Sequence, residues 1–236
     1  MDFEPALLRR FEAVSTATLT TVLLKKGLRN VWLRGPRPLA AEQPRVAGAA
    51  FTLRFVPMRE DLATPAAWSA PISTRTAVEA MPPGCVAVVG AEGCRDAGIY
   101  GDILCARMHQ RGVAALITDG VIRDVEGIRS TALPVWAHGT AAPPAVNGLT
   151  FVNWQEPIGC GGVAVFPGDL IVADADGAVV VPRALVQEVL DTAEDQERLE
   201  AWILAEVMAG TELPGLYPPN EANKARFEAA KQAGKA

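Results

Sequence analysis

The chain has 236 residues and a mass of 24.9 kDa, enough for one large domain or two small ones around a substantial core. Its residues are 50% apolar, and 22 Lys+Arg against 27 Asp+Glu leave a net charge of −5. That balance excludes extended low-complexity disorder and supplies no basic face for phosphate contacts, so nucleic acid is not an expected partner.

The N-terminal MDFEPALLRRFEAV has charges at both ends of a short apolar segment and lacks a signal-peptide core and cleavage site. With no uninterrupted apolar run long enough to span a bilayer, the expectation is a cytoplasmic protein without membrane contact. Leu7, Leu8, Phe11 and Val14 have helical spacing. Ser15 or Thr16 is placed to cap a second helix through Leu19, Val22 and Leu23, which ends at Gly27. A proline-dotted loop (RGPRPLAAEQPR) leads into VAGAAFTLRFV, which alternates like a strand. A helix is expected near residues 73–81, then a buried strand in GCVAVVG, residues 84–90.

Residues 98–124 read GIYGDILCARMHQRGVAALITDGVIRD. Asp102 is placed to cap a helix over residues 103–111, closed by Gly112, and residues 113–118 form a second buried strand ending at the turn dipeptide Asp119-Gly120. A helical turn over 127–131 and a strand over 133–137 follow. Short strands over 149–154, 163–166, 169–173 and 178–181 are separated by Asn-Gly, Gly-Gly, Pro-Gly-Asp and Asp-Gly turns. A long, carboxylate-rich helix is expected over roughly 184–209, then a proline-rich tail that turns helical and polar from Glu221. Strands separated by helices in the first half, and strand-turn-strand units in the second, predict an α/β fold with a mixed sheet. The expected division is a main domain over residues 1–210 and a polar extension over 211–236.

Several chemistries are excluded by what is missing. His109 and His138 are the only histidines, too few for a His-rich zinc site or a histidine-based triad. His109 reads as a surface or packing residue, while His138 is either packing or site rim. Cys85, Cys94, Cys105 and Cys160 form no CxxC pair and read as reduced packing cysteines. Lysine occurs only at Lys25, Lys26, Lys224, Lys231 and Lys235, none at a core position where desolvation would prepare an imine-forming amine. Gly98 and Gly101 match neither GxGxxG nor a GK[ST] ending, so no nucleotide loop is indicated.

Carboxylates remain. Asp102, Asp119 and Asp124 stand at ends of expected elements, where side chains converge. A hard cation such as Mg²⁺ takes oxygen ligands and keeps several waters, so one direct carboxylate with water-bridged ones suffices. Arg123 beside Asp124 offers a fork for a substrate carboxylate, and a helix start at Ile103 points free N–H groups the same way. Taken singly, an Asp-Gly turn, an Arg-Asp pair and an Asp cap are ordinary structural features. It is the constellation that suggests a divalent-metal lyase.

The pattern GDxL…A…G…DGxxRD over residues 101–124 resembles the RraA-like family. That family includes the metal-dependent aldolases for 4-hydroxy-4-methyl-2-oxoglutarate and 4-carboxy-4-hydroxy-2-oxoadipate, and the regulator of ribonuclease activity A. The likeness extends to STATLTTVLLKKG, RVAGAAFTL, PPGCVAVV, LPVWAHG and GCGGVAVFPGDLIVADADGAVVVP, and covers about residues 13–205. The resemblance implies a β/β/α swivelling-type core with N-terminal helices and a long C-terminal helix, assembled as trimers or hexamers with the site at a subunit interface. It implies a 2-oxo acid substrate and Mg²⁺ or Mn²⁺, with Asp124 as direct ligand and Asp102 acting through water. Arg123, Gly101 and the amides of Ile103 and Leu104 would bind the pyruvyl part. Glu197 of a neighbouring copy, or else Glu200, would complete the metal shell. The implied reaction releases pyruvate from a 4-hydroxy-2-oxo acid, with oxaloacetate decarboxylation as a side activity; the alternative is a non-enzymatic protein-binding regulator. One departure is at Thr20 and Thr21, where many members carry Asp. Arg59, Trp68, Arg75 and His138 are candidates for contacting the rest of the substrate.

Overall fold

Near-continuous apolar runs set the centre of the sheet, because a strand buried on both faces needs no polar alternation. The computed structural model describes residues 3–233, so Lys235 and the ends of the chain lie outside the described residues. Two helices, α1 (Pro5–Glu12) and α2 (Thr16–Lys25), precede a two-residue strand β1 (Arg37–Pro38) and the long β2 (Val46–Pro57). Then come α3 (Thr74–Ala80), β3 (Val86–Gly90), α4 (Asp102–Gln110), β4 (Ala115–Thr118), β5 (Val121–Ile122) and α5 (Val125–Ser130). The second half holds β6 (Val135–Ala137), β7 (Gly139–Thr140), β8 (Leu149–Trp154), β9 (Ile158–Cys160), β10 (Val163–Val165), β11 (Leu170–Asp174) and β12 (Gly177–Val181). It closes with α6 (Val186–Met208) and α7 (Glu221–Gln232). Among the described residues no helix is long and apolar enough to cross a membrane.

The main sheet runs β1-β6-β4-β3-β2-β11-β12, with β8 also on β2. Strands β2, β3, β4 and β6 are parallel, whereas β1, β8, β11 and β12 join antiparallel. This is the expected mixed α/β architecture, with helices at the N-terminus and a long helix near the C-terminus. One row across the parallel part is Thr52, Val88, Ile117 and Trp136. Every residue of β3 is buried, and its side chains alternate between two cores. Ala87 and Val89 meet Leu53, Met81 and Met108 beneath α3 and α4; Val86 and Val88 meet Ile117, Trp136 and Ile171 on the other face. Each such Val or Leu contributes roughly 1.5–3 kcal/mol relative to exposure. A third core joins α1, α2 and α6 through Phe11, Leu19, Leu23, Val189 and Leu190.

Caps fix the helix ends. The Ser15 hydroxyl accepts the Thr18 amide at 3.0 Å, which selects Ser15 over Thr16 as the α2 cap. Thr16 instead donates its amide and hydroxyl to the buried Asp174 carboxylate at 2.9 and 2.7 Å. Gly112, at φ +76°, ends α4 as expected. The long helix begins at Val186, after a 3-10 turn over Arg183–Leu185, slightly later than its sequence pattern suggests. Strands β1, β5, β7 and β9 carry two or three residues each, too few for a periodic signal. Helix α7 returns onto α6, where Leu216 and Phe227 pack with Trp202 and Ile203 and Arg226 pairs with Glu206 at 2.6 Å.

Candidate active site

The site is made by stitching the segment before α4 to the segment before α5. The Ile99 amide donates to Val121 O at 2.9 Å, and the Arg123 amide to Tyr100 O at 3.0 Å. This approach requires glycines. A Cβ on Gly98 would stand 2.8 Å from Arg123 Cβ, and one on Gly101 would stand 2.2 Å from Asp124 Oδ2. A Cβ on Gly127 would lie 2.6 Å from Asp102 Oδ2. The glycines thus leave room for two carboxylates arriving from opposite elements.

Asp124 sits at φ 56°, ψ 44°, a left-handed conformation that costs a non-glycine residue roughly 1 kcal/mol. Its carbonyl starts α5 by accepting the Ile128 amide at 2.9 Å. Arg123 Nε donates to Asp124 Oδ2 at 3.0 Å, with the two side chains 36% and 40% exposed. A pair that open to solvent adds little stability. The guanidinium's two Nη groups make no hydrogen bond among the described residues.

Asp102 is not an N-cap, as its sequence position suggested. Gly101 occupies the cap, and Asp102 is the first residue of α4 with Oδ1 accepting the Ile103 amide at 2.7 Å. The Ile103 amide is therefore engaged within the chain, while the Leu104 amide, also in the first turn, has no intrahelical carbonyl to pair with. Both carboxylates are felt by the Cys105 thiol below them. Burial, then the charges of Asp102 and Asp124, push its pKa up to about 12. A thiol held that high is not a nucleophile at neutral pH.

Arg123, Asp102, Asp124 and Gly101 share a cavity of about 450 Å³ with a largely apolar wall that includes Phe55, Trp68, Ile72, Leu149 and Phe151. Ile103, Leu104 and Arg75 also line it, and no lysine does. The sequence reading did not anticipate the wall from β2 and β8. Its signal is the aromatic pattern of β8, where Phe151 meets Phe55 edge-on at 5.1 Å and stacks on Trp154 at 6.4 Å.

Asp119 does not converge with Asp102 and Asp124. It is buried and accepts the Ala91 amide at 2.8 Å and the Gly161 amide at 3.0 Å, bordering a second cavity of about 410 Å³ with Arg34, Arg95 and His138. His138 therefore rims that cavity and not the one holding Arg123. His109 is exposed on α4, and Arg59 is paired with Asp61 at 2.7 Å, outside the Arg123 cavity. Glu197 lies on α6, where its Oε1 accepts the Ser15 amide at 2.6 Å, away from the cavity of its own chain. Burial pushes the Glu197 carboxyl up, but the Ser15 amide and hydroxyl, the Thr18 hydroxyl and the Arg45 charge together hold it below the usual range. Glu200 lies one turn on, accepting from Gln196 at 2.7 Å. Thr20 and Thr21 both turn their hydroxyls back onto Ala17 O, at 2.8 and 3.1 Å. Cys85, Cys105 and Cys160 are buried and Cys94 is half-buried.

Among the described residues no group of three or more His, Cys, Asp or Glu side chains in one chain is arranged to hold a metal. The donors at the Arg123 cavity are two carboxylates, which suit a hard cation that keeps most of its water.

Comparison with known proteins adds the kinship. A "Putative 4-hydroxy-4-methyl-2-oxoglutarate aldolase" of Halalkalibacterium halodurans is 38% identical over 132 residues, 54% of this chain and 62% of that protein. The match thus spans less than two thirds of that relative's length. The crystal structure of Streptomyces coelicolor RraAS2, described as an unusual member of the RNase ES inhibitor RraA protein family, superposes with a TM-score of 0.77 at 37% identity, covering 86% of this chain and 97% of that one. An uncharacterized protein from Pseudomonas syringae gives a TM-score of 0.78 at 27% identity, over 92% of this chain and 99% of the other. The family model described as Aldolase/RraA matches residues 16–180, more than half of the sequence, and the chain belongs to the RraA-like family.

Proposed function

We propose that this protein is a divalent-metal-dependent aldolase that releases pyruvate from a 4-hydroxy-2-oxo acid and also decarboxylates oxaloacetate. The observation that carries the reading is the meeting of Arg123, Asp102 and Asp124 at one cavity that contains no lysine. The name of the Halalkalibacterium halodurans relative supports the same reaction class.

Cleavage of the C3–C4 bond leaves negative charge on the pyruvyl keto oxygen. Without a lysine imine to absorb it, a cation must do so. Asp124 would hold Mg²⁺ or Mn²⁺ directly and Asp102 through water. Glu197 of a second copy, with Glu200 as the alternative, would complete the shell in a homotrimer or homohexamer. A bound ion of this kind supplies Lewis-acid stabilisation of the developing enolate. Arg123 forks the substrate carboxylate with its two open Nη groups, aided by the Leu104 amide at the positive end of α4. Asp102, with one oxygen fixed on the Ile103 amide, presents the other to a water that takes the C4 hydroxyl proton. The open cytoplasm is the expected setting for a small 2-oxo acid substrate.

A lactate dehydrogenase-coupled assay tests this with 4-hydroxy-2-oxo acids and oxaloacetate, in Mg²⁺ and in chelator. Metal-dependent pyruvate release is expected, and its absence with every substrate would refute the reading. The RraAS2 likeness favours a second reading, a protein-binding regulator of a ribonuclease. Stable capture of a ribonuclease E fragment by a chain without lyase activity would select it.

A further inference from the structure

Besides Arg123, one cation lines the same cavity: Arg75, next to Thr74 in the first turn of α3. Of the residues that the sequence offers for the remainder of the substrate, Arg59 is committed to Asp61 and His138 rims the other cavity. Trp68 and Arg75 remain, and they touch each other. Arg75 Nη1 donates to Trp68 O at 2.9 Å, and its Cζ lies 5.4 Å from the Trp68 ring centroid. Arg75 is exposed, yet a guanidinium tied at one nitrogen and packed on an indole has little freedom left to lose on binding a ligand.

What Arg75 leaves open is the edge formed by Nε and Nη2, which makes no hydrogen bond among the described residues. That edge is the one this chain uses elsewhere to fork a carboxylate. Arg10 donates Nε and Nη2 to Glu194, Arg59 to Asp61 and Arg107 to Glu79, all at 2.7–2.8 Å. Arg75 has no such partner among the described residues: the carboxylates at its cavity are Asp102 and Asp124, and neither pairs with it. The neighbouring Thr74 hydroxyl is also without a hydrogen bond there and offers one more donor. In a site that a second copy closes, a guanidinium without a counter-charge would lose water uncompensated. A carboxylate on the ligand removes that cost.

Resting on the aldolase reading, we infer that Arg75, helped by the Thr74 hydroxyl, binds a second carboxylate of the substrate, carried on C4, while Arg123 holds the first. The substrate is then a 4-hydroxy-2-oxo diacid gripped at both ends, and Arg75 sets the preference for it over monocarboxylates. The C4 carboxylate keeps its charge while the C3–C4 bond breaks, so Arg75 grips substrate and transition state alike. Its contribution therefore falls on KM more than on kcat.

The test compares 4-hydroxy-4-methyl-2-oxoglutarate with 4-hydroxy-4-methyl-2-oxopentanoate, in which a methyl group replaces the second carboxylate, on the Mg²⁺-loaded protein. We expect the parent to favour the diacid in kcat/KM by about 10- to 100-fold, the scale of one charged hydrogen-bonded contact. Arg75→Met should bring that ratio close to one, chiefly through the KM of the diacid, and Arg75→Lys should restore part of it. A parent without preference for the diacid, or an equal loss for both compounds in Arg75→Met, would overturn the inference. So would a changed assembly mass of Arg75→Met in light scattering, which would assign Arg75 to contact between copies. If neither compound yields pyruvate with the parent, the aldolase reading falls, and calorimetry with 2-oxoglutarate and 2-oxopentanoate decides the role of Arg75. Tighter binding of 2-oxoglutarate, lost in Arg75→Met, would uphold the second-carboxylate site; equal binding, or none, would overturn it.

Discussion

The two cavities both involve carboxylates carried next to glycines, and they differ in what those carboxylates still have to offer. Asp119 has spent both oxygens on main-chain amides, those of Ala91 and Gly161. Asp124 has one oxygen on Arg123, and Asp102 has one on the Ile103 amide, which leaves each an oxygen for something outside the chain. A saturated, buried carboxylate is framework: it ties the loop after β3 to the turn after β9. Unsaturated ones beside an arginine with open Nη groups are equipped for chemistry. Position in the sequence does not separate the two cases; hydrogen-bond accounting does.

The contrast can be broken most sharply with Asp124. Asp124→Ala should lower pyruvate release by roughly 10³-fold or more, since it removes the proposed direct ligand and the enolate charge goes unopposed. Its thermal midpoint should barely move, because the side chain is 40% exposed. Arg123→Ala should cost about 10²–10³ in kcat/KM, with part of the loss in KM, as expected for a carboxylate clamp. Steady-state kinetics on the folded variant would check both.

Asp119→Ala should act the other way. Two buried N–H groups would lose their acceptor, at a cost of about 2–5 kcal/mol, or roughly 5–15 °C in Tm for a chain of this size. Residual activity per folded molecule should stay near normal. A circular-dichroism melt beside the coupled assay would show whether stability and turnover separate in this fashion.

Glu197 adds a pH dependence whose sign is fixed. Its carboxyl is held low in the folded chain by Ser15, Thr18 and Arg45 against the opposing effect of burial. The stabilisation is therefore complete above the unfolded carboxyl value of about 4.3 and fades as pH falls through the lower folded value. Glu197→Gln should melt earlier than the parent at neutral pH, and the two melting curves should converge in acid. The smallest effect concerns Cys105. With its pKa pushed to about 12, it should resist alkylation by iodoacetamide at pH 8, while the half-buried Cys94 reacts; mass spectrometry of the two peptides would read this.

What could be read in advance follows from the range of the interactions. The strand in GCVAVVG, a cap of α2 at Ser15 or Thr16, the Gly112 stop and β8 over 149–154 rest on local periodicity and local caps, and all were legible. Strands β5 and β7 were not, because their two residues each are held by parallel pairing with each other, with α5 and β6 between them in the chain, and by nothing periodic. Arg123, Asp102 and Asp124 could be singled out by their residue types, yet the different environment of Asp119 could not. Its partners Ala91 and Gly161 lie 28 and 42 residues away. The apolar wall was invisible for the same reason: Phe55 and Phe151 come from strands far apart in the chain that meet only through β2–β8 pairing. Glu197 was singled out only through family likeness, and within its own chain it binds the start of α2.

The most direct test sets Asp124→Asn beside Asp119→Asn, each assayed for Mg²⁺-dependent pyruvate release and for Tm. We expect Asp124→Asn to lose release while keeping its melting temperature, and Asp119→Asn to melt early while keeping turnover per folded chain. Full-rate, Mg²⁺-dependent release by Asp124→Asn would contradict the assignment of the Arg123 cavity as the active site.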